Sequence, residues 1–229
     1  KIAAFALIAR VLVDGLEGLH ASWKDMLAIL AVLSLILGNI IAIAQKNIKR
    51  MFAYSTISHV GFIMLGLIAG NQLGYSASMF YTLVYALMAT AGFGVLLMLS
   101  KNGIEAENIA DLSGLSDRSP LLAVVMLVVM FSMAGVPPTV GFYAKLSVIN
   151  AIVSSDMIWL ALVAVFMSVV GAFYYLRIIK VMYFEKQDII ESVDNSFNER
   201  LFIGVNGLTI LLLGLYPTTL MMLCSASFK

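Results

Sequence analysis

Residues 120–153 read PLLAVVMLVVMFSMAGVPPTVGFYAKLSVINAIV, an apolar stretch that contains a Pro137-Pro138 pair and one charged side chain, Lys145. A straight helix of this length would extend roughly 50 Å, well beyond a hydrocarbon core of about 30 Å. Pro138 has no N–H to donate and its ring clashes with the preceding turn, while Gly135 and Gly141 on either side allow the chain to bend. The stretch therefore predicts a membrane helix that is broken at residues 137–138.

The composition of the whole chain also indicates a membrane protein. Hydrophobic residues make up 62% of the sequence and charged residues 12%, with a mean hydropathy of +1.00. We therefore predict an all-α, polytopic membrane helix bundle that forms a single membrane domain over residues 1–229. The net charge of +1 argues against a nucleic-acid partner, because phosphate binding needs a surplus of basic residues.

Few side chains are suited to hold a metal or a redox group. Cys224 is the single cysteine, which excludes a disulfide or a cysteine-ligated cluster within the chain. His20 and His59 each lack a carboxylate or cysteine at metal-ligand spacing. We predict that the chain itself binds no metal and no cofactor.

Hydropathic segments predict the membrane spans and suggest that the chain is a fragment. A first apolar segment at about 1–13 is too short to cross a bilayer and begins with Lys1, so we expect the chain to be the C-terminal part of a longer protein. The predicted full spans are at about 26–44, 51–70, 77–99, 120–153 (the broken helix), 157–183 and 201–224.

The distribution of Lys and Arg predicts the orientation of these spans. Loops 45–50, 100–118 and 177–200 lie on one side of this threading and hold most of the basic residues, namely Lys46, Lys49, Arg50, Lys101, Arg118, Arg177, Lys180, Lys186 and Arg200. The opposite side has Lys24 and Lys229. By the positive-inside rule the first side faces the cytoplasm and the C-terminus faces the periplasm.

Lys145 is the strongest candidate for a functional residue. It lies about 12 Å from the outer end of its segment, a depth that snorkelling alone does not overcome. A broken helix at this depth requires protein or a water-filled cavity around it, and a buried ammonium suits proton exchange because burial penalises its charged form. The alternative is a structural pair with a buried acid, but no Asp or Glu occurs in the predicted spans. We predict that Lys145 transfers protons.

Lys1 and His59 are further candidates for proton transfer, each with an open alternative. If Asp14 marks the outer interface, Lys1 lies about 20 Å below it, near the midplane. The alternative is that Lys1 has no function and occurs there only because the chain begins at this residue. His59 lies about 12 Å from the cytoplasmic side of its span, among Ser and Thr residues. It either relays protons or holds two helices together through a hydrogen bond.

Hydroxyl side chains in the spans are candidates for lining a proton path. Hydroxyls and water can complete a hydrogen-bonded chain between titratable groups. Each hydroxyl alone is weak evidence, because Ser and Thr also bond to the backbone of their own helix. The candidates for the path are Tyr81, Tyr85, Ser132, Thr139 and Tyr143, with Thr82, Thr90 and Ser147 as further hydroxyls.

Two motifs resemble a known family. Residues 47–61, NIKRMFAYSTISHVG, and residues 131–145, FSMAGVPPTVGFYAK, are similar to the antiporter-like subunits of respiratory complex I, and the resemblance covers nearly the whole chain. It implies a proton-antiporter-like fold of two inverted repeats, each with a broken helix, of which this chain would hold the second. Lys145 matches the lysine of the second broken helix, and Lys1 matches the lysine of the eighth helix.

The resemblance implies a function and its partners. It implies a proton-translocating membrane subunit of NADH-quinone oxidoreductase in the bacterial inner membrane, in contact with the lipid bilayer and other membrane subunits of complex I. NADH and quinone would be substrates of the complex, with FMN and iron-sulfur clusters in partner subunits. Two alternatives remain: a subunit of a multisubunit sodium/proton antiporter, for which the predicted spans offer no carboxylate ligand, and a structural membrane subunit without ion transfer.

Overall fold

A computed structural model of the protein describes residues 2–101, 107–185 and 196–228. Within these ranges the chain forms helices and no strands, which confirms the predicted all-α fold. A π-helical segment, Arg10–Gly15, and two 3-10 turns, Glu17–Leu19 and Ile109–Leu112, occur in the connections. The helices are α1 (Ile2–Ala9), α2 (His20–Ala44), α3 (Ile48–Ile68), α4 (Gln72–Lys101), α5 (Leu115–Arg118), α6 (Pro120–Ala134), α7 (Val140–Ser154), α8 (Ile158–Phe184), α9 (Phe197–Leu215) and α10 (Thr218–Ala226).

Five helices in the described part of the chain are long and apolar enough to cross a membrane. They correspond to α2 with its preceding turn, α3, α4, α8 and α9, while α6 and α7 are shorter apolar helices. The structure corrects the prediction of a span at 201–224, because α9 ends at Leu215 and a separate α10 follows. Pro217 explains the interruption, since it has no N–H with which to continue the hydrogen bonding of α9.

The helices pack around α3 and α4, which are the most buried of the long helices. The face of α2 toward α3 carries Ala28, Ala31 and Leu35, all buried. Small residues let two helix backbones approach closely, which is how helices associate in an apolar solvent. On the other side, α4 contacts α7, and α8 contacts both α2 and α6. The broken helix therefore lies against the centre of the bundle.

Connections at each end of the bundle bond to one another. At the end that carries most of the basic residues, the N–H of Ile48 donates to Glu107 O at 2.7 Å and the N–H of Ile109 donates to Lys46 O at 2.9 Å. At the opposite end, the Asn71 side chain donates to Ser155 Oγ at 3.1 Å, and Ser155 Oγ donates to Ala69 O at 2.9 Å. These bonds hold the helix ends in register.

The outward faces of α2, α8 and α9 are apolar. Exposed side chains include Ile29 and Leu33 on α2, Phe166 and Val169 on α8, and Phe202 on α9. In water such a surface would be unfavourable, but it suits contact with lipid tails or a neighbouring subunit. The polar side chains described below lie on the inside of the same bundle.

Candidate proton-transfer site

The break between α6 and α7 is stabilised by specific hydrogen bonds and is not a simple bend. Gly135 adopts φ 87° and ψ 42°, and its N–H donates to Ser132 O while the N–H of Val136 donates to Phe131 O. This pair of bonds is a Schellman motif, which ends a helix at a residue in the left-handed region. The Pro137-Pro138 peptide bond is cis, and α7 then begins after Thr139.

Two hydroxyls stabilise the backbone of this break. Ser132 Oγ accepts a hydrogen bond from the N–H of Gly141 at 3.0 Å. Thr139 Oγ1 donates to Val136 O at 2.6 Å. Both side chains are buried, so they satisfy backbone groups that water does not reach. Ser132 and Thr139, which the sequence suggested as path-lining residues, therefore hold the broken helix together.

Lys145 points back from α7 to the end of α6. Its Nζ donates to Ala134 O at 2.9 Å and to Ser168 Oγ of α8 at 2.9 Å. The same nitrogen lies 5.1 Å from the centroid of the Phe62 ring, a cation–π geometry. The residue is 7% exposed, and no salt bridge to it occurs among the described residues. The break thus supplies a bare carbonyl as a partner for the buried amine.

A neutral set of partners lets the amine lose its proton without losing its contacts. An ammonium has three N–H donors and the neutral amine has two, so both acceptors can stay bonded in either state. A carboxylate partner would instead favour the charged form strongly. The geometry around Lys145 is therefore compatible with repeated uptake and release of a proton.

His59 lies at the centre of a second polar cluster and bonds through both ring nitrogens. Its Nδ1 lies 2.8 Å from the hydroxyl of Tyr81 on α4, and its Nε2 lies 3.0 Å from the hydroxyl of Tyr175 on α8. The three side chains are at most 3% exposed. An imidazole between two hydroxyls can accept a proton on one nitrogen and release it from the other. The cluster also joins three helices, so its geometry is compatible with a relay and with a structural role.

The two remaining tyrosines of the predicted path differ in their placement. The ring of Tyr85 lies 4.8 Å from that of His59, and its hydroxyl lies 2.6 Å from Thr56 Oγ1. Tyr143 instead packs edge-on against Phe80, with ring centroids 5.5 Å apart, and is partly buried. Tyr85 therefore belongs to the His59 cluster, whereas Tyr143 has a packing contact.

An aromatic pair separates the His59 cluster from Lys145. Tyr81, which bonds to His59, stacks on Phe62 with centroids 5.8 Å apart, and Phe62 in turn lies under Lys145 Nζ. Among the described residues no direct hydrogen bond joins the two groups. A proton passing between them would therefore need water or a change of side-chain position.

Several polar residues of this interior were not predicted as site residues. Asn39 of α2 bonds to Ser58 and to Tyr174, Tyr175 bonds to His59, and Ser168 bonds to Lys145. A signal for Asn39 and for the Tyr174-Tyr175 pair was present, because each interrupts an apolar span. Their partners are far away in sequence, so spacing alone could not join them.

Other predicted residues do not join the cluster in the structure. Thr82, Thr90 and Ser147 each donate to a carbonyl one turn earlier in their own helix. Lys1, predicted as a second proton site, lies outside the described residues. In the part of the chain that the structure describes, no three His, Cys, Asp or Glu side chains are grouped so as to hold a metal ion.

The chain is similar in sequence to one family of known proteins. Residues 1–171 match the family described as NADH:quinone oxidoreductase/Mrp antiporter, TM. The chain is 56% identical to NADH-quinone oxidoreductase subunit N of Thioalkalivibrio sulfidiphilus over 100% of its own length and 48% of the relative. It is 57% identical to the protein of the same name from Thiobacillus denitrificans, over 98% of the chain and 46% of the relative.

A solved structure has the same fold. A chain of respiratory complex I from Thermus thermophilus with bound aureothin superposes with a TM-score of 0.75 at 31% identity, covering 86% of the present chain and 44% of the other. The chain therefore spans about half the length of the relatives that it matches.

Proposed function

Because this chain belongs to the NADH:quinone oxidoreductase/Mrp antiporter transmembrane family, we propose that it is part of a proton-translocating membrane subunit of NADH-quinone oxidoreductase. In that role it would serve an enzyme that transfers electrons from NADH to quinone and moves protons across the membrane. The relatives at 56% and 57% identity carry the name NADH-quinone oxidoreductase subunit N, which supports this choice within the family.

The observation that carries the proposal is the buried Lys145 with its neutral partners. Its amine is held by a carbonyl at a helix break and by a hydroxyl, without a salt bridge in the described part of the chain. An intramembrane amine of this kind is costly for stability, so a function is the expected reason for it. We propose proton transfer for Lys145 and for His59, with Tyr81, Tyr85 and Tyr175 around the latter, and for Lys1 on the basis of the family resemblance.

The driving force in this proposal is electrostatic. Two unit charges about 8 Å apart interact by roughly 2 kcal/mol at an effective dielectric constant near 20. A charge change in a neighbouring part of the complex would therefore suffice to load or release a proton at a buried amine. Quinone reduction would supply that change, and the redox cofactors, FMN and iron-sulfur clusters, would belong to partner subunits.

The proposed location is the bacterial inner membrane, with the C-terminus on the periplasmic side. The basic residues Lys46, Lys49 and Arg177 lie at the end of the bundle assigned to the cytoplasm by the positive-inside rule. The exposed apolar faces of α8 and α9 suit lipid or the adjacent membrane subunits of the complex.

A sodium/proton antiporter subunit is the second candidate, since the family description names both kinds of protein. Sodium is a hard cation that would need oxygen ligands. The buried polar cluster contains His59, Tyr81 and Tyr175, and the two hydroxyls that His59 contacts are neutral groups. This composition favours protons over sodium.

The proposal is tested in inverted membrane vesicles from a bacterium that produces the full-length parent with its partner subunits. We expect NADH oxidation to acidify the vesicles in sodium-free buffer, and deletion of the parent gene to abolish this until the gene is restored. A gradient that requires sodium would favour the antiporter, and a gradient that survives the deletion would contradict the proposed function.

A further inference from the structure

Ser168 is an isolated polar residue in the middle of α8. From Leu160 to Phe173 it is the only residue whose side chain carries an N–H or O–H group. Its Oγ lies 2.9 Å from Lys145 Nζ of α7, and α8 packs against both α6 and α7. The one hydroxyl of this apolar stretch is therefore placed at the buried amine.

The hydroxyl of Ser168 differs from other helical hydroxyls of the bundle in its hydrogen bonding. A serine or threonine within a helix often bonds to the carbonyl one turn earlier in the same helix. Four hydroxyls of the bundle do so, namely those of Thr82, Thr90, Ser147 and Thr209. In the part of the chain that the structure describes, Ser168 Oγ bonds to Lys145 and donates to no carbonyl of α8. The hydroxyl hydrogen of Ser168 is thus available to the amine.

The three groups in contact with the amine have different chemical capacities. Ala134 O can only accept a hydrogen bond. The Phe62 ring, with its centroid 5.1 Å from Nζ, attracts a cation. The Ser168 hydroxyl can accept and can also donate. Of these three groups, only Ser168 can accept from an ammonium and donate to the lone pair of a neutral amine.

The hydroxyl of Ser168 can therefore bond to both protonation states of Lys145. When the amine is charged, Ser168 Oγ accepts one of its N–H groups, as the 2.9 Å distance allows. When the amine is neutral, the hydroxyl rotates and donates to its nitrogen. A buried polar atom that loses its partner is costly, and this rotation avoids that cost without moving a helix.

The position of Lys145 Nζ also depends on Ser168. A Cβ atom at Gly135 would lie 2.9 Å from Lys145 Cδ and 3.4 Å from Nζ, so the lysine stem lies close against the break. The stem is flexible, because it has four rotatable carbons. Ala134 O holds its tip on the side of α6, and Ser168 Oγ holds it on the side of α8.

We propose that Ser168 is a positioning residue for Lys145, whose hydroxyl fixes the amine between α6 and α8 and changes from acceptor to donor when Lys145 releases its proton. The inference rests on the proposed proton-transfer function. It adds that proton transfer by Lys145 depends on a hydroxyl at position 168 and not on the volume of the side chain there.

Three substitutions at Ser168 test this dependence in the full-length parent, assembled with its partner subunits in inverted membrane vesicles. Ser168→Ala removes the oxygen and adds nothing. Ser168→Thr keeps a hydroxyl, whereas Ser168→Val has nearly the same shape as the threonine without one. Thr209→Val is the matched control, because the Thr209 hydroxyl on α9 bonds to Val205 O within its own helix at 2.8 Å.

The readout is the number of protons moved per NADH oxidised, with valinomycin and potassium present and with assembly checked by native electrophoresis. We expect Ser168→Ala and Ser168→Val to lower this number toward the value of Lys145→Ala. Ser168→Thr should stay near the wild type, since its hydroxyl can take the place of the serine hydroxyl. Thr209→Val should match the wild type. If the Thr and Val variants do not assemble, Ser168→Ala decides the result.

The inference is overturned if assembled Ser168→Ala moves as many protons per NADH as the wild type. It is also overturned if Ser168→Thr and Ser168→Val lose proton translocation equally, since that result would indicate a packing role. The proposed function fails separately, if the wild type produces no pH gradient on NADH oxidation or if Lys145→Ala pumps like the wild type. The inference alone fails if Lys145→Ala loses pumping and Ser168→Ala does not.

Discussion

At the scale of the residue, the position of Lys145 depends on what ends helix α6. The Schellman motif at Gly135 leaves the Ala134 carbonyl available, and that carbonyl accepts from the lysine at 2.9 Å. The broken helix and the buried amine are therefore one feature, since the break provides the acceptor that a continuous helix would use for itself.

Gly135→Ala tests this link. Gly135 has φ 87°, and an added Cβ atom would lie 2.9 Å from Lys145 Cδ, so the new methyl group strains the backbone and displaces the lysine. We expect loss of NADH-driven proton translocation in the assembled complex, measured as the pH gradient across vesicles. Gly204→Ala is the matched control, because its nearest neighbour would be Leu121 Cδ1 at 3.9 Å. Equal pumping by the two variants would show that proton translocation does not depend on the conformation of Gly135.

Some of the site could be predicted from the sequence and some could not. Lys145 and His59 stand out because a charge or an imidazole in an apolar span is rare. Tyr175 and Tyr174 bond to residues 116 and 135 positions away, a pairing that only the packing of α8 against α2 and α3 creates. The sequence makes Ser132 a candidate for lining the path, and the structure shows that its hydroxyl accepts a hydrogen bond from the backbone of the break.

At the scale of the element, the broken helix is held together by side chains that replace missing backbone partners. The prediction of a break at residues 137–138 followed from the length of the apolar run and the absence of an N–H in proline. The hydrogen bond from the N–H of Gly141 to Ser132 Oγ, across the break, could not be predicted from the sequence. It depends on how α7 folds back against α6.

Ser132→Ala should weaken the broken helix. It leaves the N–H of Gly141 buried without its acceptor, which costs about 1–3 kcal/mol. We expect the variant of the full-length parent to unfold at a lower concentration of sodium dodecyl sulfate than the wild type. Ser147→Ala serves as the comparison, since the Ser147 hydroxyl only adds a bond to Tyr143 O within α7. A Ser132 variant as stable as the Ser147 variant would mean that another group satisfies Gly141.

At the scale of the whole molecule, hydrogen bonds between the loops that join the helices support the predicted order of the spans through the bundle. The α2–α3 connection bonds to the segment after α4 at one end, and the α3–α4 connection bonds to the α7–α8 connection at the other. The end of the sequence was the exception, because the apolar residues after Leu215 suggested one long span where Pro217 in fact separates α9 from α10.

The proposed orientation predicts which side each end faces. Ser227 is exposed near the C-terminus and Asp117 is exposed at the basic end of the bundle. We expect Ser227→Cys in the full-length parent to react with an impermeant maleimide in intact spheroplasts, and Asp117→Cys to react only in inverted vesicles. Cys224 is buried, so the parent without added cysteine gives the background. The reverse pattern would show that the chain has the opposite orientation in the membrane.

Lys145→Ala in the full-length parent, within its assembled complex, shows whether Lys145 passes protons. Proton translocation and NADH oxidation are measured in the same membranes, with assembly checked by native electrophoresis, and Lys180→Ala provides an exposed lysine as the control. We expect Lys145→Ala to lose coupled proton translocation with normal assembly and Lys180→Ala to behave like the wild type. Unchanged pumping by Lys145→Ala would show that Lys145 transfers no protons and leave the lysine with a packing role alone.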